Sequence, residues 1–234
     1  MSISPIAAKA APSGGITLGG SGLLPRQALF RTRDLEHGRA HMNVALGGEH
    51  SVSYLSRERH LDFRHRQAKI GCIAVHSLQY GAGVVISDAL LPNSYLLQFT
   101  VVGECDVWQG THSLLPAGSV AIINPGRGFK KAWLPGTRQL LVRIDKQLVE
   151  REFHAWTGAD DGRDIAFDVA PIDDAAKVGT LIRYVRMVCD DLRNEASDLS
   201  HPLVADRITS GLVSLLLAST TATWLRDSMG GAPR

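Results

Sequence analysis

Residues 94–133, SYLLQFTVVGECDVWQGTHSLLPAGSVAIINPGRGFKKAW, constrain the fold of this chain more than any other stretch. Apolar runs at 95–102, 107–108, 114–115 and 120–123 are cut by Gly103, by Gly110 and by the Pro/Gly turns at 116–118 and 125–128. A helix needs a longer uninterrupted period, so runs this short between glycines and prolines read as strands of a meander. Evenly spaced short strands imply a sheet that closes or doubles on itself, as in a small barrel or jelly roll.

The flanks add elements of both kinds. Residues 30–46 carry Asp34 as an N-cap and an imperfect helical face of Leu35, Met42, Val44 and Leu46, stopped by Gly47 and Gly48. Residues 70–80 alternate as a strand, and 81–83 turn into a second strand over 84–91. Residues 138–144 alternate Leu140, Val142 and Ile144 against Gln139, Leu141 and Arg143. Asp145 then caps a short helix that Gly158 ends.

Two helices close the chain. The first presents Val178, Leu181, Ile182, Val185, Val188 and Leu192 as an amphipathic stripe. The second opens at His201-Pro202, and from Leu212 to Leu217 only Ser214 is polar. A helix apolar nearly all round needs partners on more than one side. A second subunit meeting Ile208, Leu212, Leu215 and Leu216 is the expectation; burial between the chain's own elements is the alternative.

Length permits a substantial core. Charged residues make up 21% and the formal net charge is +2, a balance too even to imply nucleic-acid binding by charge. Cys72, Cys105 and Cys189 are scattered with no CxxC pair, which fits buried reduced thiols and a reducing cytoplasm. Residues 1–24 are rich in Ala, Gly, Ser and Pro and lack the apolar core of a signal peptide, so a flexible leader is expected. No stretch reads as long and apolar enough to span a bilayer, so no membrane partner is expected.

The cations Arg57, Arg59, Arg64, Arg66 and Lys69 cluster before the first long strand. Arg64 and Arg66 share a strand face and could fork onto a carboxylate or phosphate, although a solvated strand is the commoner use of such charges. His76 interrupts an apolar run and is a ligand candidate beside the commoner satisfied core histidine. Trp108 and Trp133 offer large apolar walls with one N–H each, weighed equally against plain core packing.

Gly110, five residues, then Pro116-Ala117-Gly118 resembles the second conserved motif of cupins. The positions matching the cupin metal ligands are Ala89, Leu91, Leu96 and Ala121, so no metal or other cofactor is expected. The order FRTRDLEHGRAHMN, IGCIAVHSLQYGAGVVIS, SYLLQFTVVG, LLPAGSVAIINPG, RQLLVRIDKQLVEREF and HPLVADRITSGLVSLLLA resembles the amino-terminal regulatory domain of AraC/XylS-type transcription regulators over roughly residues 29–217.

That resemblance implies an α+β fold: a cupin-like β-barrel (jelly roll) followed by a C-terminal helical dimerisation pair. The expected division is a leader or arm over 1–24, a ligand-binding barrel over 25–170, a helical dimerisation region over 171–226 and a tail over 227–234. It also implies a homodimer, a small-molecule effector, aromatic or carboxylated, and a pocket strand that makes Gln139 and Arg143 ligand candidates. DNA would be met only through a helix-turn-helix domain, for which the residues after 226 leave no room. No catalytic residue is expected. The alternatives are a metal-independent cupin-type enzyme using His76 with Tyr95, and a cyclic-dinucleotide-binding regulator domain.

Overall fold

The computed structural model describes residues 23–24, 26–57, 59–158, 165–194 and 197–229, with side chains as far as Thr220. Most of the expected leader and the last residues of the expected tail lie outside them. Among the described residues, eleven strands form two antiparallel sheets. The strands are β1 (Phe30–Thr32), β2 (Ser51–Tyr54), β3 (Phe63–Ile70), β4 (Ile73–Gln79), β5 (Val84–Ala89), β6 (Ser94–Val102), β7 (Glu104–Gln109), β8 (Thr111–Pro116), β9 (Val120–Ile123), β10 (Phe129–Trp133) and β11 (Arg138–Asp145). One sheet runs β1-β3-β4-β11-β6-β9 and the other β2-β5-β10-β7-β8. The helices are α1 (Leu35–Leu46), α2 (Lys146–Thr157), α3 (Ala175–Asp191) and α4 (Pro202–Met229).

The α+β class and the sheet-then-helix order agree with the sequence. The strands pair as two facing sheets and not as one closed ring of hydrogen bonds. Helix boundaries follow local chemistry. Asp34 accepts from the His37 amide at 2.8 Å to start α1, and Gly47 in the left-handed region ends it. Asp145 accepts from the Gln147 amide at 2.9 Å to start α2, and Gly158 stops it in the same way. Phe30–Thr32, ahead of the expected N-cap at Asp34, forms an edge strand on β3.

The six-stranded sheet has two buried faces. Its outer face carries Ile73, Val75, Tyr95, Leu97, Leu140, Val142 and Ile144, which pack against α2, α3 and α4. Its inner face carries Leu78, Leu96 and Leu141, which meet Val84, Ile86, Val107, Leu115 and Trp133 from the other sheet and Met42 from α1.

The residues of the expected dimer seam already have packing partners within the single chain. Leu212 and Leu216 are 2% and 0% exposed within the single chain, and Ile208 and Leu215 are half-buried against the same outer-face core. The sheet lies on one side of α4 and the neighbouring helices on another, so one chain meets its need for several partners. By length and composition, 19 described residues of α4 with a hydropathy of 1.3 would suffice to cross a membrane, contrary to expectation. Here the helix's apolar sides pack on the protein's own core. Cys72, expected in a strand, is exposed in the β3–β4 turn, whereas Cys105 and Cys189 are buried and free.

Candidate functional site

Alternation along β10 places Phe129, Lys131 and Trp133 on the inner face and Lys130 on the outer one. The inner three line a cavity between the sheets, with Leu78 and Tyr80, Ile86 and Ala89, Leu91, Leu96 and Leu141 around them. Met42 and Leu46 of α1 roof it, and Glu49 and His50 border it from the following loop. Gly48 lets that loop close down: a Cβ there would lie 2.2 Å from the Leu90 carbonyl oxygen. The free volume is about 30 Å³, room for little more than water. A ligand would therefore have to displace the α1 roof or repack the lining.

Lys131 is the unusual residue of this lining. It is 2% exposed, and its Nζ donates to Gln139 Oε1 at 3.0 Å. The ammonium lies 5.2 Å from the centre of the Trp133 ring. Burial pushes its pKa down to about 8, opposed only by the nearby Cys105. Among the described residues no carboxylate pairs with it. Gln139, 0% exposed, also donates to Thr100 Oγ1 at 3.3 Å and so fixes the amide that holds the lysine. Trp133 is 1% exposed and stands edge-on to Tyr80. Its Nε1 has no hydrogen-bond partner among the described residues.

Next to this site a row of imidazoles runs inward from α1. His41 Nε2 lies 2.8 Å from His65 Nδ1, and His65 Nε2 lies 3.0 Å from His76 Nδ1. His41 stacks on Phe30 with centroids 3.7 Å apart, which ties α1 to β1. Burial drives His65 down to about 4 and His76 to about 3, with neighbouring imidazoles and Arg143 adding to the effect. His76 Nε2 and both amide atoms of Gln98 are also buried without partners among the described residues.

The expected ligand residues therefore divide. Trp133 and Gln139 come together around Lys131. His76 shares the inner face but belongs to the imidazole row. Arg143 lies on the same face of β11, with its guanidinium against Gly47 at the C-terminal end of α1, where the helix dipole favours a cation. Trp108 points away from the cavity, stacked on His112 and under Lys130. Its strand neighbours Val107 and Gln109 take the inner face.

Arg64 and Arg66 are also outside the cavity, because Phe63 and His65 hold the inward positions of β3. Arg64 pairs with Asp62 at 2.6 Å, and Arg66 donates to the Gln27 carbonyl. With Arg138 they border a separate cleft of about 180 Å³ on the outer face. Lys131 was missed at sequence level, although period-2 alternation in FKKAW puts it on the face of Phe129 and Trp133. The positions matching cupin metal ligands, Ala89, Leu91, Leu96 and Ala121, are all buried and hold no donor side chain, so they do not fit a metal. No group of three His, Cys, Asp or Glu suited to a metal occurs among the described residues.

A protein-family model described as an AraC-binding-like domain matches residues 39–217. Among solved structures, the AraC-like transcriptional activator CuxR superposes with a TM-score of 0.65 at 12% identity, covering 84% of this chain and 70% of that one. Oxalate decarboxylase of Bacillus subtilis matches 42% of this chain and 33% of its own, at 14% identity and a TM-score of 0.32. A putative ethanolamine utilization protein from Salmonella typhimurium matches 36% and 69%, at 17% identity and a TM-score of 0.29. The curated proteins give no match.

Proposed function

This chain belongs to the AraC-binding-like domain family, and from that premise we propose that it senses a small aromatic or carboxylated effector between its two sheets for an AraC/XylS-type transcription regulator. The observation that carries this reading is the inner cavity roofed by α1, with a buried lysine and an unpartnered indole N–H in an otherwise apolar lining. Binding would act by population shift, since a ligand that fits only with the roof displaced favours that arrangement. Contact with DNA belongs to another domain of the regulator, and a cytoplasmic location to the same proposal.

Homodimerisation is also part of it, through outward residues of the helices such as Met187, 48% exposed, and not through Leu212 or Leu216. An acid–base enzyme is less well supported. His76 is on the inner face, whereas Tyr95 is in the outer-face core with its hydroxyl donating to the Ile165 carbonyl. A second reading, a phosphorylated or nucleotide ligand, is favoured by the outer cleft bordered by Arg64, Arg66 and Arg138.

The test is a thermal-shift screen with benzoate-like acids, neutral aromatics and a cyclic dinucleotide, paired with amide exchange across α1. An effector of the inner site raises the melting temperature and changes exchange in α1. A ligand that stabilises the protein but changes exchange only around Arg64, Arg66 and Arg138 would replace the inner site with the outer cleft.

A further inference from the structure

We propose that Lys131 and Trp133 form a receptor for one carboxylate, so that the effector is an apolar monocarboxylic acid; this rests on the inner-site reading above. Two independent features point the same way. An ammonium buried without a counter-ion is costly, and an incoming anion removes that cost. An indole N–H buried without an acceptor is also costly, and an anion's second oxygen can accept from it.

The geometry lets one group satisfy both. Lys131 and Trp133 are alternate residues of β10 facing the same cavity. Gln139 takes one ammonium hydrogen and leaves the others for a ligand. The ammonium already lies over the indole ring, and both side chains line the one cavity.

The remaining lining sets the rest of the molecule. Met42, Leu78, Ile86, Leu96, Phe129 and Leu141 offer apolar contact and no polar group. The other ionisable groups of the lining are Tyr80, a neutral phenol held far above its usual pKa by burial, and His50 and Glu49 in the loop after α1. Glu49 is exposed, and its charge opposes a second anionic group at that end. One cation balances one carboxylate, so a phosphate dianion or a dicarboxylate would leave charge uncompensated. A neutral amide would leave the ammonium unmatched.

Calorimetry with benzoate, phenylacetate and hexanoate, each beside its neutral amide, tests this on wild type, Lys131→Met and Trp133→Phe. The acids should bind wild type, and Lys131→Met should weaken them by about 30-fold or more. The same change should raise the melting temperature of the ligand-free protein, since it removes a buried charge. Trp133→Phe should cost the acids about fivefold.

Above pH 8, acid binding should draw a proton onto Lys131, visible as buffer-dependent heat that Lys131→Met abolishes. If Lys131→Met does not fold, Lys131→Gln and this proton uptake in wild type carry the test. Acids bound equally well by the lysine variants, or amides bound as tightly as their acids, would refute the receptor while leaving an inner effector site. Silence from every probe, acid and amide alike, would remove both.

Discussion

The two faces of the six-stranded sheet are built from the same strands and treat polar groups in opposite ways. On the outer face, side chains from β4, β6 and β11 meet three helices in an almost wholly apolar core. Its buried phenol, Tyr95, is satisfied by the Ile165 carbonyl. The inner side, which faces β10 of the other sheet, buries Lys131 with no carboxylate partner among the described residues, and Trp133, Gln98 and His76 with unpartnered atoms. Each such atom costs about 1–3 kcal/mol. The outer face is where this fold gains stability; the inner face forgoes some of it, a cost that the proposed effector would offset.

The largest break in that contrast comes from the outer face. Leu216→Glu places a carboxylate in a fully buried apolar site and should cost about 4 kcal/mol or more, giving unfolded or insoluble protein. Leu212→Ala, a milder form, should lose about 2–5 kcal/mol in chemical denaturation while acid binding to folded protein is unchanged. An effect on oligomeric state with stability intact would contradict the intramolecular packing of α4.

Acidification tests the inner face next. His65 and His76 have folded pKa values of about 4 and about 3, below the ordinary 6.5. Between those values the unfolded chain binds more protons, so stability is full above pH 6.5 and falls as the pH drops towards 4 and then 3. Replacing His76 with Asn should flatten that fall in urea titrations at stepped pH. An unchanged slope would mean that the imidazole row is not the acid-sensitive part.

Lys131→Met separates the faces from the alkaline side. The folded pKa of about 8 lies below the ordinary 10.5, so the unfolded state holds more protons between them. Wild-type stability should therefore rise, relative to the variant, from pH 8 to about 10.5. Below pH 8 the variant should be more stable by roughly 3 kcal/mol. Subtracting the two curves removes the buried thiol Cys189, which titrates nearby and acts in the opposite direction, whereas Cys105 interacts with Lys131 and is removed by making both measurements in a Cys105→Ala background. A flat difference would mean that Lys131 is compensated after all.

The smallest effect should come from the α1 roof. Asp34→Ala removes the acceptor of the His37 amide and should cost about 1 kcal/mol. Faster amide exchange should be confined to α1 and leave α3 and α4 as they were. Exchange that quickened across the outer-face helices instead would show that the two regions are not independent.

Much of this architecture was legible in residue order. Short apolar runs between Gly and Pro marked β6 to β9, and Asp34, Gly47, Asp145 and Gly158 marked helix ends, because turns and caps act over a few residues. The family resemblance was legible for a related reason, since it rests on the order and spacing of packing residues. The site was harder to read. Of the expected ligand residues, Trp133 lines the inner cavity and Gln139 holds its lysine, whereas Arg64, Arg66 and Trp108 lie outside it. Alternation says which residues share a strand face and leaves open which face turns inward.

What the sequence determined by itself is therefore the set of elements and their family. Hydrogen-bonded turns, caps and period-2 or period-3.6 patterns are local, so each element carries its own instructions. Only the tertiary structure decided which face of each strand looks into the cavity, and that α4 spends its apolar sides on its own sheet and helices. The same holds for Lys131. Its cost depends on whether an acid stands across from it, and the groups around a buried charge come from strands and helices scattered along the chain.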